Sequence, residues 1–236
     1  MDNQKSPSEV DFSLILASSV HDMKNSLGML MHSLEELCEQ LPKDTDQGLS
    51  ASTIRYEAER VNNDLIQLLG VYRLQRKTMT AHIDEHYLDD ILAEQNAQYN
   101  EVFKAKGIEL SIDCSSSLAW YFDRELVSGI INNALNNASR YSNQQIKLKA
   151  YETELNGHTF LEINVNDDGA GYPEDILMLD PSDIQNNLNF KTGSTSLGLY
   201  FASKVAALHQ QNAHCGEIRL SNGGDLSGGV FRLLLP

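Results

Sequence analysis

The chain has 236 residues, 41% hydrophobic and 22% charged, a balance that fits one medium domain or two small ones and excludes a disordered tail. No apolar run approaches the ~20 residues that span a bilayer, and Met1–Glu9 is polar, so a cytoplasmic protein without membrane insertion is expected. A formal charge of −15 with no Lys/Arg cluster opposes direct binding to nucleic acid, and three scattered cysteines outside any CxxC pair argue against a disulfide framework or a zinc site.

The first predicted element is a long helix, Ser8–Leu41. Its apolar residues Leu16, Val20, Met23, Leu27, Leu30, Leu34, Leu37 and Leu41 step by four and three, the roughly 3.5-residue period of a bundle seam. The polar stretch Pro42–Gly48 ends it. A second helix, Ser50–Met79, carries the seam Ile54, Ala58, Val61, Leu65, Leu68 and Tyr72. Two antiparallel helices with one apolar stripe each enclose no core alone. Two such hairpins about a two-fold axis make a four-helix bundle, so a homodimer is expected; the alternative is a hairpin folded back on its own C-terminal half.

After His82 the pattern changes. A helix is predicted over Leu88–Lys104, a strand over Ile108–Cys114, and a helix from Asp123 through Leu126, Ile130, Ile131, Leu135 and Ala138. Strands Ile146–Leu155 and Thr159–Val165 follow, joined by the Asn156-Gly157 turn. A helix over Leu197–His209 and two strands, Glu217–Ser221 and Val230–Leu235, close the chain. The expected fold class is α+β: a helical hairpin over residues 1–83, then a two-layer α/β sandwich over 84–236.

Four groups of residues carry candidate chemistry. On the first helix, His21 adjoins the seam residue Val20. A neutral imidazole is a competent nucleophile near pH 7, Asp22 could take its proton, and Asn25, one turn on, could hold a water. A His-Asp pair alone is equally what a solvated helix face carries. On the helix after Asp123, Asn133, Asn137 and Arg140 share one face; carboxamide oxygens suit a hard Mg²⁺, and a guanidinium suits phosphates. Asp167-Asp168-Gly169-Ala170-Gly171 follows a strand, where glycines let a ligand approach and a carboxylate can accept from an exocyclic amine; an ordinary turn reads the same way. Thr192–Leu199 opens a helix with small residues and free N–H groups, a phosphate cradle, and the aperiodic Tyr172–Lys191 is expected as a lid.

Together and in this order, the four groups resemble the sensor histidine kinases of two-component signalling, from about residue 12 to the end of the chain. His21-Asp22 is similar to the phosphoacceptor box and Asn133–Tyr141 to the asparagine box. Asp167–Gly171 and Gly193–Leu199 are similar to the two glycine boxes, with Phe190 as the aromatic before the second. The resemblance implies a Bergerat-type ATP-binding fold of the gyrase, Hsp90, kinase and MutL superfamily, with ATP and Mg²⁺ as cofactors. It implies that His21 accepts the γ-phosphoryl group with Asp22 as base, that Asn137 binds Mg²⁺ beside Asn133, and that Arg140 lies at the phosphates. Asp167, with Gly169 and Gly171, would take the adenine amine near Tyr141, and Gly193, Leu197 and Gly198 would form the second box. Asn25 matches the residue that positions water for dephosphorylation of the partner, a response-regulator receiver domain.

Three departures stand out. Ser26 replaces a common Pro, Ser196 replaces a glycine of the second box, and no sensor precedes the first helix, so the signal is expected from a separate sensor or upstream partner. The alternative within signalling is a histidine phosphotransferase relay with a vestigial ATP-binding domain, against which Asn137, Asp167, Gly169, Gly171 and Gly198 argue. Clamp ATPases of the gyrase type place a Glu where Asn133 stands, and a purely structural dimerisation module would leave His21 inert.

Overall fold

The computed structural model describes residues 12–41, 45–76, 78–178 and 195–236, with some helical side chains, among them those of 12–21, 195 and 196, excepted. They fall into two compact units, the first ending at Arg76. The sequence puts the boundary after Ile83. The segment before β1 instead belongs to the second unit, because the His82 backbone N–H donates to Asp123 Oδ2 at 2.8 Å.

The first unit is a hairpin of α1 (Phe12–Gln40) and α2 (Asp46–Gln75). α1 runs unbroken through Ser26, whose hydroxyl donates to the Asp22 carbonyl at 3.0 Å. A serine keeps the backbone N–H that proline would remove, so no kink is imposed. α2 starts earlier than the sequence suggests. Thr45 has extended backbone and its Oγ1 accepts from the Gly48 N–H at 3.2 Å, a side-chain cap that draws Gly48 into the first turn. Of the predicted break, residues 42–44 lie outside the described residues.

The seam divides by exposure. Leu34 and Ala58 are buried, whereas Met23, Leu30, Leu37, Ile54 and Val61 are all 44% to 55% exposed. The hairpin therefore buries part of its apolar stripe and leaves the rest open.

The second unit is built on a five-stranded sheet of β2 (Glu109–Cys114), β4 (Gln145–Leu155), β5 (His158–Asp167), β9 (Gly229–Leu235) and β8 (Glu217–Asn222), in that spatial order. β2 and β4 are parallel and the other neighbours antiparallel. Alternation sets the two faces. Ile146, Leu148 and Ala150 of β4 lie in register beside Asp167, Val165 and Ile163 of β5, and Phe231 and Leu233 of β9 continue the rows. The described helices α3 (Leu88–Ala105), α4 (Arg124–Tyr141) and α6 (Thr195–Ala206) belong with this core, α4 against β5 and α6 against β8 and β9. Ile91, Leu92, Ile130, Ile131, Leu135 and Val205 close it, all buried. At about 25 cal/mol per Å² of apolar surface removed from water, this layer is the main source of the unit's stability.

Some elements were not expected from sequence. β1 (Asp84–Tyr87) pairs only with β3 (Ala119–Phe122), as an antiparallel ribbon off the main sheet. The short helix α5 (Glu174–Leu177) interrupts the predicted lid, the rest of which, residues 179–191, lies outside the described residues. A small hairpin, β6 (Gln210–Gln211) with β7 (His214–Cys215), leads into β8. Among the described residues no helix is long and apolar enough to cross a membrane.

Candidate functional site

α4 begins where it does because Asp123 caps it. Its Oδ1 accepts from the Leu126 N–H at 3.0 Å, its backbone N–H donates to His209 Nε2 at 3.1 Å, and Oδ2 takes the His82 N–H. From that origin Asn133 and Asn137 fall one turn apart and both are buried, with Arg140 half-buried further along. The sequence predicts these on one face, and the helix places them so. Asn133 also meets the second glycine box. A Cβ added to Gly198 would stand 2.3 Å from Asn133 Oδ1, so only a glycine lets α6 approach α4 this closely. Leu197, the preceding residue, is half-buried at the start of α6.

The first glycine box sits at the C-terminal end of β5. The strand runs two residues further than the sequence suggests, because Asp167 still pairs with Ile146. Asp167 therefore projects on the core face rather than into a loop, and it is only 7% exposed. Its Oδ1 accepts from the backbone N–H groups of Gly169 at 2.8 Å and Gly229 at 3.1 Å. Its Oδ2 lies near the Tyr172 ring: a Cβ on Gly229 would stand 2.7 Å from Oδ2 and 3.2 Å from Tyr172 Cε2. A carboxylate with one oxygen fixed by two backbone amides keeps the other for a hydrogen bond from an exocyclic amine.

The turn after Asp167 is pressed onto the end of α4. A Cβ at Gly169 would meet the Tyr141 carbonyl oxygen at 2.1 Å. Asp168 locks the other side: its carboxylate accepts from the Asn143 N–H at 2.7 Å and the Gln144 N–H at 2.9 Å, while Asn143 Nδ2 donates to the Asp168 carbonyl at 2.6 Å. Burial works against that charge, but the backbone N–H groups of Gln145, Asn143 and Gln144 outweigh it and hold the carboxyl below the usual carboxylate range. The Tyr172 phenol is pushed well above its ordinary value, first by burial and then by the nearby Asp167 and Tyr141. Tyr141 itself is exposed.

One corner of the second unit thus collects Asn133, Asn137, Arg140, Tyr141, Asp167, Gly169, Gly171, Leu197 and Gly198 on three elements and one turn. The buried Asn137 carboxamide is the donor type that suits a hard divalent cation, and Asp167 suits an adenine amine. Phe190 and Gly193 lie outside the described residues. His21, Asp22 and Asn25 belong to α1 in the first unit, where Asp22 and Asn25 are exposed and the His21 side chain is outside the described set. Sequence reasoning gave no role to Asn222, Gly228 or Gly229, and none of their own to Asp168 within the glycine box or Tyr172 within the lid. The Gly228-Gly229 pair was the available signal, since a double glycine entering a strand marks close backbone approach.

Comparison with known proteins bears on this corner directly. Residues 122–236 match the family model described as histidine kinase-, DNA gyrase B-, and HSP90-like ATPase, a span that holds the asparagine helix, both glycine boxes and β9. These residues are similar to that ATPase family. The resemblance of the chain to a histidine kinase catalytic core also returns among its relatives. It is similar to the sensor histidine kinase GraS of Staphylococcus haemolyticus, 25% identical over 193 residues, covering 80% of this chain and 53% of GraS. It is similar to the histidine protein kinase SaeS of Staphylococcus aureus, 24% identical over 234 residues, covering 97% of this chain and 64% of SaeS. The chain therefore spans between about half and two thirds of the length of these curated relatives. In fold it is similar to ShkA, solved full-length in complex with AMPPNP, with a TM-score of 0.62 at 19% identity over 95% of this chain and 46% of ShkA. The α+β architecture with a five-stranded mixed sheet is thus that of a histidine-kinase-type ATPase domain preceded by a helical hairpin.

Proposed function

We propose that this chain is the catalytic core of a cytoplasmic histidine kinase. It binds ATP with Mg²⁺ in the second unit, phosphorylates His21 and passes the phosphoryl group to an aspartate of a response-regulator receiver domain. The observation that carries the reading is Asp167: a buried carboxylate at a strand end, held on Oδ1 by the Gly169 and Gly229 amides, with Oδ2 beside Tyr172. A protein that only relays phosphate needs no such base-recognising acid. Because Asn133 stands where a clamp ATPase would carry its glutamate, water lacks a general base there and transfer to a side chain is favoured over hydrolysis.

In this reading Asp167 takes the adenine amine, Tyr141 borders the base, and Asn133, Asn137 and Arg140 face the phosphates. Gly193, Leu197 and Gly198 belong to the second box with Phe190 before it. Bound at Asn137, Mg²⁺ would neutralise phosphate charge during transfer. On α1 an imidazole nitrogen of His21 attacks the γ-phosphorus, the bond to the bridging oxygen breaks, ADP leaves and Asp22 accepts the imidazole proton. Asn25, one turn from His21, would hold water when the regulator is dephosphorylated. The hairpin unit, with its exposed seam, pairs with a second copy.

The test is incubation with γ-labelled ATP and Mg²⁺, followed by acid and base treatment. Acid-labile, base-stable label that is absent from His21→Ala while that variant still binds ATP supports the reading. Label that persists in His21→Ala refutes the acceptor, and absence of both label and ATP binding leaves a phosphotransferase.

A further inference from the structure

The strand pair β8–β9 reaches the base pocket at one register position, where Asn222 lies opposite Gly229. Gly229 holds Asp167 from one side through the amide bond to Oδ1, and the Gly228 N–H adds a bond to the Asp167 carbonyl at 3.1 Å. Asn222 holds the opposite wall. Its Oδ1 accepts from the Tyr172 N–H at 2.6 Å and its Nδ2 donates to the Tyr172 carbonyl at 2.8 Å, so both backbone groups of one residue are clasped by one carboxamide. The contact is tight: a Cβ on Gly171, whose φ is +81°, would stand 2.6 Å from Asn222 Oδ1.

The loop that follows Asn222 is pinned as well. Gly223 N–H bonds the Gly228 carbonyl at 2.8 Å, and Asp225 pairs with Lys147 at 2.9 Å and Lys149 at 3.3 Å on the far face of the sheet. Asn222 is therefore a fixed post.

We infer that Asn222 is a positioning residue for nucleotide binding: by clasping Tyr172 it holds the wall of the base pocket at its working distance from Asp167. This rests on the proposed nucleotide site. Asn222 touches no reacting atom, so its loss acts on ATP affinity and leaves the rate of phosphoryl transfer at saturating ATP unchanged.

The experiment uses the full chain, titrated with ATP by calorimetry, and labelling rates measured across ATP concentration. Two hydrogen bonds lost in Asn222→Ala raise the ATP Kd and KM by about tenfold or more and lower the melting temperature, with the rate at saturation near native. Asn222→Asp keeps the acceptor for the Tyr172 N–H but sets a carboxylate oxygen against the Tyr172 carbonyl, so it too raises the ATP Kd, by about threefold or more. Asn222→Asp carries the test should Asn222→Ala fail to fold. An ATP Kd within about twofold of native in a folded Asn222→Ala overturns the inference, as does a fall in saturated rate at native KM. Failure of the native chain to bind ATP would instead sink the nucleotide reading. The clasp has its own readout in the exchange of the Tyr172 amide, slow in the native chain and fast in Asn222→Ala; fast exchange in the native chain overturns it without reference to any nucleotide.

Discussion

At the scale of single residues, the two oxygens of Asp167 have separable tasks. Oδ1 accepts from two backbone amides and Oδ2 lies beside Tyr172. In Asp167→Asn the remaining carbonyl oxygen can still take both amide bonds, but the other position becomes a donor and repels an amine. The expected outcome is a near-native melting temperature with ATP affinity lowered about tenfold to a hundredfold, the worth of a hydrogen bond to a charged group, read by calorimetry. His209 offers a pH test. It is buried with Nε2 accepting the Asp123 N–H and Nδ1 facing the Val205 carbonyl at 3.0 Å, which requires the neutral ring with the proton on Nδ1. Burial holds its pKa below the ordinary 6.5. The unfolded chain therefore takes up a proton that the folded chain refuses. Stability is full above about pH 6.5 and falls as pH drops through that value toward the lower folded pKa, by up to about 1.4 kcal/mol per pH unit. Urea midpoints between pH 7.5 and 5.5 should fall less steeply in His209→Gln than in the native chain; parallel slopes would remove this role.

Among the elements, α4 is the one on which the site depends, and Asp123 defines its start. One carboxylate caps the helix at Leu126 and ties down His82. Asp123→Ala loses the cap, worth about 1 kcal/mol, and leaves the His82 amide without this acceptor, for a total destabilisation of about 2 kcal/mol by urea unfolding. A loss below about 0.5 kcal/mol would mean that water replaces both bonds. The elements legible in sequence were those whose apolar residues repeat over many positions: α4, β4 and β5 each show their period in Ile130–Leu135, Ile146–Ala150 and Leu161–Val165, although β5 is buried on both faces. β1 and β3 were not legible. Each has four residues and pairs outside the main sheet, so neither alternates over enough positions to show a face. The site divides in the same way. Asp167 and Gly169 lie two residues apart and read as a motif, whereas the Asn222 clasp on Tyr172 closes over 50 residues of sequence and only the sheet brings it together.

For the whole molecule, the open seam of the hairpin carries the argument. The apolar period of α1 and α2 predicted more stripe than one hairpin can bury, and Met23, Leu30, Leu37, Ile54 and Val61 remain about half exposed. Single exposed apolar residues are ordinary, but a line of them at helical spacing along two adjacent helices is a surface awaiting a partner. A second copy would present the same line, and a two-fold axis would set each stripe on the other to complete a four-helix bundle. The chain of 26.3 kDa should then behave as a particle of twice that mass by light scattering. A glutamate in the stripe would have to be buried unpaired, at a cost of several kcal/mol per charge in the assembled bundle. Leu30→Glu with Val61→Glu is thus expected to give a monomer whose second unit still binds ATP as the native chain does. A native chain that scatters as a monomer at tens of micromolar, or a double variant that keeps the native mass, would show that the stripe is covered in another way.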